Sequence, residues 1–257
     1  MKPAQITKPI IAPASWDEIA HGENYRLALE KSLFPWWCKL FGFHMLKIGG
    51  LSAGLDTSEC AISHQVNVGV QGENMHVIAD QFALPFANKS TDAALLAHTL
   101  TYCADPHRLL REIDRVLIDD GWLIITTFNP VSLLGLGKLC PVIRRRQPYC
   151  SRMYTQMRLM DWLSVLNYEV IDHSRLQVLP WTRQGGKLLS AHIPAIGCLS
   201  VIVARKRTFP LSLTPSKQKS RKAALRRPVG AASRSAGSAI SPVGSRYPQM
   251  PDEWPPL

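Results

Sequence analysis

Between residues 75 and 128 the chain alternates short apolar runs with polar turns. Three of the runs have the length and composition of buried strands: Met75 to Ala79, Ala93 to Ala97, and Trp122 to Phe128. Parallel strands that are covered on both faces are expected to be continuously apolar rather than alternating. The pattern therefore predicts the alternating strands and helices of a doubly wound α/β domain.

One helix is well marked between the last two runs. Asp105 can cap its first turn, and Pro106 suits the first helical position, where the missing N–H would have had no partner. Apolar residues then recur at helical spacing on one face, namely Leu109, Leu110, Ile113, Val116 and Leu117. Gly121 tolerates a left-handed backbone and is predicted to close the helix.

Several short motifs follow one another in a fixed order along this stretch. They are Asp80, the turn Leu84, Pro85 and Phe86, the polar turn Ser90, Thr91 and Asp92, then His98, and finally the helix from Leu109 to Gly121. Together they resemble class I S-adenosylmethionine-dependent methyltransferases of the type 11 group. The resemblance implies a Rossmann-like α/β fold, in which a doubly wound, mostly parallel sheet ends in an antiparallel last strand.

The resemblance also implies that S-adenosylmethionine is the cofactor and that Asp80 binds it. Asp80 follows a predicted strand at its carboxyl end, where open α/β sheets bind their ligands. By the resemblance, its carboxylate accepts a hydrogen bond from the adenine amino group, and the backbone N–H of Gln81 or Phe82 completes the contact. The alternative is that Asp80 only caps the turn before Leu84.

The predicted glycine turn after the first strand departs from the family pattern. That pattern has an acidic residue followed by three alternating glycines, because the backbone passes close to the cofactor and turns sharply into a helix. Here only Gly49 stands at a family glycine position, and Lys47 replaces the acid. Gly49 is predicted to contact the cofactor. Without the resemblance, Gly49 and Gly50 form an ordinary turn between a strand and a loop.

The family's ribose-binding acid has no acidic counterpart between residues 61 and 70. Gln65 is the predicted substitute, although a neutral amide hydrogen-bonds more weakly than a carboxylate. Only residues 71–74 then separate one predicted strand from the next. Because a parallel crossover needs about a dozen residues, the connection predicts either a hairpin or a much shortened unit. The N-terminal half of the fold is therefore expected to be abbreviated.

His98 stands at the carboxyl end of the next predicted strand, on the expected ligand side. A histidine there can act as a general base near neutral pH or simply line the pocket. A sulfonium methyl group is already activated, so the main task of such an enzyme is to position the nucleophile. His98 is therefore predicted as a cofactor-pocket residue and as the candidate catalytic residue.

Most of the formal net charge of +11 lies at the carboxyl end of the chain. From Arg205 onward, eleven Lys and Arg residues stand against two acidic residues, which leaves a net charge of only +2 for the rest. This end is rich in Pro, Ser, Ala and Gly and has too few large apolar residues to form a core. We therefore predict an irregular N-terminal segment (1–22), a methyltransferase-like domain (23–206) and a basic disordered tail (207–257).

The sequence favours a cytoplasmic protein. Its six cysteines show no CxxC pair and no metal-ligand spacing, which predicts reduced thiols and no metal site. No stretch of about 18 consecutive apolar residues occurs, and the amino end has no continuous apolar core of the length that a signal peptide needs. Neither a transmembrane segment nor a signal peptide is therefore predicted.

These patterns predict a methyltransferase that uses S-adenosylmethionine and acts on an unidentified small-molecule or macromolecular acceptor. Two alternatives stay open. The degenerate turn from Lys47 to Gly54 suits a methyltransferase-like pseudoenzyme that serves as a binding module. The basic tail suits a methyltransferase that it holds weakly to nucleic acid. A third feature, the basic run from Arg144 to Arg146, lies where such folds place a substrate lid, but a solvated turn explains it as well.

Overall fold

The computed structural model describes residues 5, 10–72, 74–138, 146–176 and 197–208. The strands within these ranges are β1 His44–Ile48, β2 His64–Gly69, β3 Val77–Ile78, β4 Thr91–Ala97, β5 Leu117–Phe128, β6 Tyr168–Leu176 and β7 Leu199–Lys206. The helices are α1 Gly22–Trp37, α2 Gly50–Ala53, α3 Thr99–Tyr102, α4 Pro106–Val116, α5 Leu133–Gly137 and α6 Gln156–Val165, and a short 3-10 helix, Trp16–Glu18, precedes them.

The described strands form one sheet in the order β3-β2-β1-β4-β5-β7-β6. Neighbouring strands from β3 to β5 are parallel, and β7 is antiparallel to both β5 and β6. The predicted Rossmann-like class, with a mostly parallel sheet and an antiparallel last strand, is confirmed. Because β1 and β4 are neighbours although β2 and β3 intervene in the chain, their carboxyl ends form the crevice where such sheets bind ligands.

The connection between β2 and β3 is the shortened unit, and the hairpin alternative is wrong. The two strands run parallel, with Val68 paired to Val77 and Gly69 to Ile78. Residues 70–76 suffice for this connection because β3 is only two residues long and pairs with the end of β2. The chain therefore does not have to travel back along the whole strand before pairing begins.

Helix α4 begins as the sequence predicts. Oδ1 of Asp105 accepts hydrogen bonds from the backbone N–H groups of His107 and Arg108, both at 3.1 Å, and Pro106 occupies the first helical position. These bonds satisfy two of the N–H groups that a helix start leaves without intrahelical partners.

The same helix ends earlier than predicted, because Gly121 lies within β5 and does not close it. The N–H groups of Lys89 and Ser90 donate to the carbonyls of Arg115 and Val116, at 2.9 and 2.8 Å. Donors from another segment thus satisfy the last carbonyls of the helix, so the chain passes into β5 without a glycine cap.

The sheet separates two apolar layers. On one face, Leu29, Leu33 and Trp37 of α1 pack against β4, β5 and β7. On the other face, Leu109 and Ile113 of α4 pack with residues of α6 against the same strands. No helix in the described ranges is long and apolar enough to cross a bilayer. Arg144, Arg145, most of the loop before β7 and the tail after Thr208 lie outside the described residues.

Candidate functional site

A cavity of about 420 Å³ lies at the carboxyl edge of the sheet. The ends of β1, β2, β3 and β4 bound it, and residues 10–14 of the N-terminal segment form a further wall. The volume lies within the range of roughly 300–1,000 Å³ that small-molecule sites occupy. The cavity also coincides with the crevice between β1 and β4, where the topology predicts a ligand.

Gly49 turns the chain from β1 into α2 at the floor of this cavity. Its φ of 93° lies in the left-handed region, and its N–H donates to the Val68 carbonyl at 2.8 Å. A Cβ at this position would lie 3.2 Å from Thr99 Oγ1, which itself donates to the Ile48 carbonyl at 2.6 Å. The turn is therefore tightly packed on one side and presents bare backbone to the cavity.

Lys47, which stands where the family pattern has an acid, points away from the ligand side. The residue is 5% exposed, and its ammonium donates to the Leu55 carbonyl at 2.8 Å and to Thr57 Oγ1 at 3.1 Å. Burial lowers the pKa of Lys47, and the nearby Asp56 carboxylate partly offsets this effect. Lys47 therefore holds the loop after α2 and is not one of the described residues that line the cavity.

Asp80 and Gln81 follow β3, and both line the cavity. Asp80 Oδ1 accepts a hydrogen bond from the Phe82 N–H at 3.0 Å, so this oxygen caps the turn. The Phe82 N–H is thereby used within the protein, which leaves the N–H of Gln81 as the backbone donor next to Asp80. Among the described residues that line the cavity, Asp80 carries the only charged side chain.

Comparison with known proteins identifies a methyltransferase domain in this chain. Residues 42–125 match a family model described as a methyltransferase domain. The uncharacterized protein YafS of Escherichia coli (strain K12) is 59% identical over 231 residues, which cover 90% of this chain and 96% of that protein. This chain belongs to the same family as YafS and contains a methyltransferase domain.

Solved structures show the same methyltransferase fold. A structure from Thermotoga maritima, described as a SAM-dependent methyltransferase and possible histamine N-methyltransferase, aligns with a TM-score of 0.52 at 20% identity, over 71% of this chain and 89% of that one. The [4+2]-cyclase SpnF aligns with a TM-score of 0.51 at 19% identity, over 70% of this chain and 80% of that one. At these identities the likeness concerns the fold alone.

Gln65, predicted to replace the ribose-binding acid of the family, lies away from the cavity. Its Oε1 accepts from the Thr57 hydroxyl, and its Nε2 donates to the carbonyls of Thr57 and Ile62, at 3.0 and 3.1 Å. The amide is thus used to hold the loop that precedes β2. The physical reason is direction: Gln65 stands at the amino end of β2, and the cavity lies at the carboxyl end.

Gln71, rather than Gln65, lies beside the cavity near the carboxyl end of β2, where the ribose-binding residue was expected. It comes two residues after the end of this strand, and its exposed side chain lines the cavity. A glutamine in a short polar turn carries no chemical signature of its own. Only its position just after the carboxyl end of β2 marks Gln71 as a candidate. To use that position, one must know where the strand ends.

His98 is fully buried and does not line the cavity. Its backbone has a φ of 56°, and its ring stacks on Phe128, with centroids 3.9 Å apart, and meets Trp16 edge-on at 5.6 Å. Neither ring nitrogen has a hydrogen-bond partner among the residues that the structure describes, and burial lowers the pKa of His98 to about 3. An imidazole enclosed in this way has no route to an acceptor proton, so His98 is not carried into the proposed site.

Tyr102 and the N-terminal segment were missed by sequence reasoning. Tyr102 lies in α3, just beyond β4; it lines the cavity and donates its hydroxyl proton to Gln147 Oε1 at 2.9 Å. Burial raises the pKa of Tyr102, so the phenol stays protonated at neutral pH. Neither Tyr102 nor residues 10–14 show a pattern that distinguishes them from core or surface residues.

Proposed function

We propose that this protein transfers a methyl group from S-adenosylmethionine to an acceptor, and that it binds the cofactor in the cavity at the ends of β1 to β4. One observation carries the proposal. A bare backbone turn at Gly49 and a carboxylate at Asp80 face the same cavity at the crevice between β1 and β4. Membership of the methyltransferase family supports the choice of cofactor, and the residues present fit it.

The lining of the cavity favours this cofactor. Most of the described lining residues are apolar, such as Ile48, Val68 and Phe82, and Asp80 adds a carboxylate. Apolar walls suit a flat base, and a carboxylate can accept a hydrogen bond from an exocyclic amino group. The cavity therefore combines two features that suit an adenine ring.

Four of the described lining residues have distinct roles in the proposed site. The free oxygen of Asp80, Oδ2, would accept a hydrogen bond from the adenine amino group, and the N–H of Gln81 would donate to the ring. Gln71 would bond the ribose hydroxyls from the end of β2. Gly49 would let the amino-acid part of the cofactor lie directly against the backbone, which a side chain at this position would prevent.

The chemistry asked of the protein is mainly positioning. When bound, the cofactor supplies a methyl group on a sulfonium, which is already activated for displacement. The protein then has to orient the acceptor and keep water out. Residues 10–14 cover one side of the cavity and contribute to the exclusion of water. A small molecule or a macromolecule can be the acceptor, and a cytoplasmic location belongs to the same proposal.

Calorimetric titration with S-adenosylmethionine and S-adenosylhomocysteine tests the proposal. Micromolar binding of both is the expected result, and Gly49→Val should abolish it because valine is strained at a φ of 93° and its Cβ crowds Thr99, which displaces the turn. If the wild-type protein shows no binding at millimolar ligand, the proposal is contradicted and the pseudoenzyme alternative is favoured. Transfer of a labelled methyl group from the cofactor to components of a cell extract then tests the activity itself.

A further inference from the structure

Residues 10–14, here called the N-terminal strap, cross directly over the glycine turn. A Cβ on Gly50 would lie 2.3 Å from the Ala14 carbonyl oxygen and 3.0 Å from its carbon. Gly50 belongs to α2 and has no left-handed φ, so its own backbone conformation does not demand glycine. The close passage of the strap demands it, which shows that the turn and the strap are fitted to one another.

Trp16 anchors the chain just after the strap. Its Nε1 donates to the Leu51 carbonyl at 3.0 Å, and a Cβ on Gly54 would come within 2.9 Å of the indole ring. The ring is buried and covers His98. The end of the strap next to Trp16 is therefore fixed on α2 by side-chain burial as well as by a hydrogen bond.

Gln147 holds the other end of the strap. Its Nε2 donates to the Ile11 carbonyl at 3.2 Å, and its Oε1 accepts from the Tyr102 hydroxyl at 2.9 Å. Ile11 is 80% exposed, so at this point the hydrogen bond holds the strap more than burial does. Because Tyr102 lines the cavity, one amide connects the strap to the wall on the β4 side.

We propose that Gln147 is a positioning residue of the cofactor site, which holds the N-terminal strap closed over the cavity and thereby slows release of the bound cofactor. The identity of the ligand rests on the proposed function. Closure of the strap is a property of the ligand-free chain, so the two can be tested separately. Gln147 forms both bonds through its side chain, which allows substitution to break them individually.

The two side-chain hydrogen bonds of Gln147, to Ile11 and to Tyr102, are here called the Gln147 bridge. Two substitutions test these bonds. Gln147→Glu keeps an acceptor for the Tyr102 hydroxyl and loses the donor to Ile11, whereas Gln147→Met has a similar length and loses both bonds. Gln156→Met is the matched control, because Gln156 also forms a side-chain hydrogen bond, to Arg175 at 2.8 Å, and is neither a strap residue nor a residue that lines the cavity. Gly50→Ala displaces the strap independently, since its Cβ meets the backbone of Ala14.

Hydrogen exchange of the ligand-free protein measures closure of the strap. The Ala14 N–H donates to Glu18 Oε2 at 3.2 Å, so its exchange reports whether the strap is seated. A net hydrogen bond of ordinary strength predicts that amide exchange at Ala14 rises roughly three- to tenfold in both Gln147 variants and in Gly50→Ala. Gln156→Met should exchange this amide at the wild-type rate. Wild-type exchange in Gln147→Met and Gly50→Ala would overturn the proposal, whether or not any ligand binds.

Stopped-flow release of S-adenosylhomocysteine measures the effect on the site. Dissociation from Gln147→Glu and Gln147→Met should be roughly three- to tenfold faster, with the association rate changed less. Raised exchange together with unchanged dissociation would overturn the positioning role. If the wild-type protein binds neither cofactor nor product, the proposed function fails, whereas raised exchange in Gln147→Met still supports the bridge itself.

Discussion

Asp80 and Phe82 are joined by a hydrogen bond of 3.0 Å from the Phe82 N–H to Asp80 Oδ1. The bond closes the turn after β3 and fixes the carboxylate at the edge of the cavity. The two interpretations of Asp80, as a turn cap and as a cofactor ligand, are therefore compatible, because each uses a different oxygen. Substitutions of Asp80 that remove either the turn cap or the cofactor contact can therefore test each role separately.

Asp80→Asn should separate these roles. Asparagine keeps an oxygen for the Phe82 N–H, so the thermal midpoint should hardly change, whereas loss of the charge weakens the bond to the adenine amino group. Asp80→Ala should lose about 1 kcal/mol of stability with the cap. Because the Asp80 side chain is exposed, the affinity of the Asp80→Ala variant for S-adenosylhomocysteine should fall by only roughly tenfold. Calorimetry and thermal unfolding of both variants test this, and unchanged affinity in Asp80→Ala would refute the placement of adenine.

Gln71→Glu should tighten binding of S-adenosylhomocysteine by roughly three- to tenfold at low salt. The reason is that a carboxylate accepts hydrogen bonds from ribose hydroxyls about twice as strongly as a neutral amide does. Calorimetric titration of the variant and the wild type measures the change. An affinity equal to that of the wild type would place the ribose elsewhere.

Gln65→Glu is the matched control for that substitution. It removes the donors to the Thr57 and Ile62 carbonyls and puts a negative charge beside them. We expect its free energy of unfolding to fall by about 1–3 kcal/mol without a gain in affinity. Tighter binding in Gln65→Glu would show that Gln65 reaches the ribose after all.

His98 should make the protein less stable below about pH 6.5. Burial lowers the pKa of folded His98 to about 3, so the unfolded chain takes up a proton first as the pH falls. The stability that is present above the unfolded pKa is then lost towards pH 3, by roughly 1.4 kcal/mol per pH unit within this window. Urea unfolding of the wild type and of His98→Phe at about pH 7 and about pH 5.5 measures the slope.

In His98→Phe the ring can still stack on Phe128, but it cannot be protonated. The left-handed φ of 56° adds a cost for phenylalanine that does not depend on pH, so the two slopes are compared rather than the two stabilities. The wild type should lose on the order of 1 kcal/mol more than the variant across this interval. Equal slopes would show that His98 is not neutral and enclosed in the folded protein.

Removal of residues 209–257 should leave the thermal midpoint nearly unchanged and abolish most salt-sensitive retention on nucleic acid. The cut spares Arg207, whose N–H donates to the Asn167 carbonyl at 2.9 Å and whose side chain pairs with Glu169. The removed segment has eight Lys and Arg residues against two acids. A large drop in midpoint would show that the tail packs on the domain, and unchanged retention would assign the binding to the folded part.

The sequence alone determined the order and type of the main elements. Asp105 and Pro106 mark the start of α4, and the continuously apolar runs locate β4 and β5, because these signals act within a few residues. The family resemblance pointed to Gly49 and Asp80, and both stand near the carboxyl ends of parallel strands, which meet at one edge of the sheet.

Only the tertiary structure decided which polar side chains reach the cavity. Gln65 and Gln71 flank the same strand, and the direction of β2 in the sheet sends one away from the cavity and the other towards it. His98 itself has a left-handed backbone, and its ring lies in the core, stacked on Phe128. The bridge from Gln147 to Ile11 spans 136 positions. Contacts between residues so far apart depend on how packed elements meet, and they leave no periodic trace in the sequence.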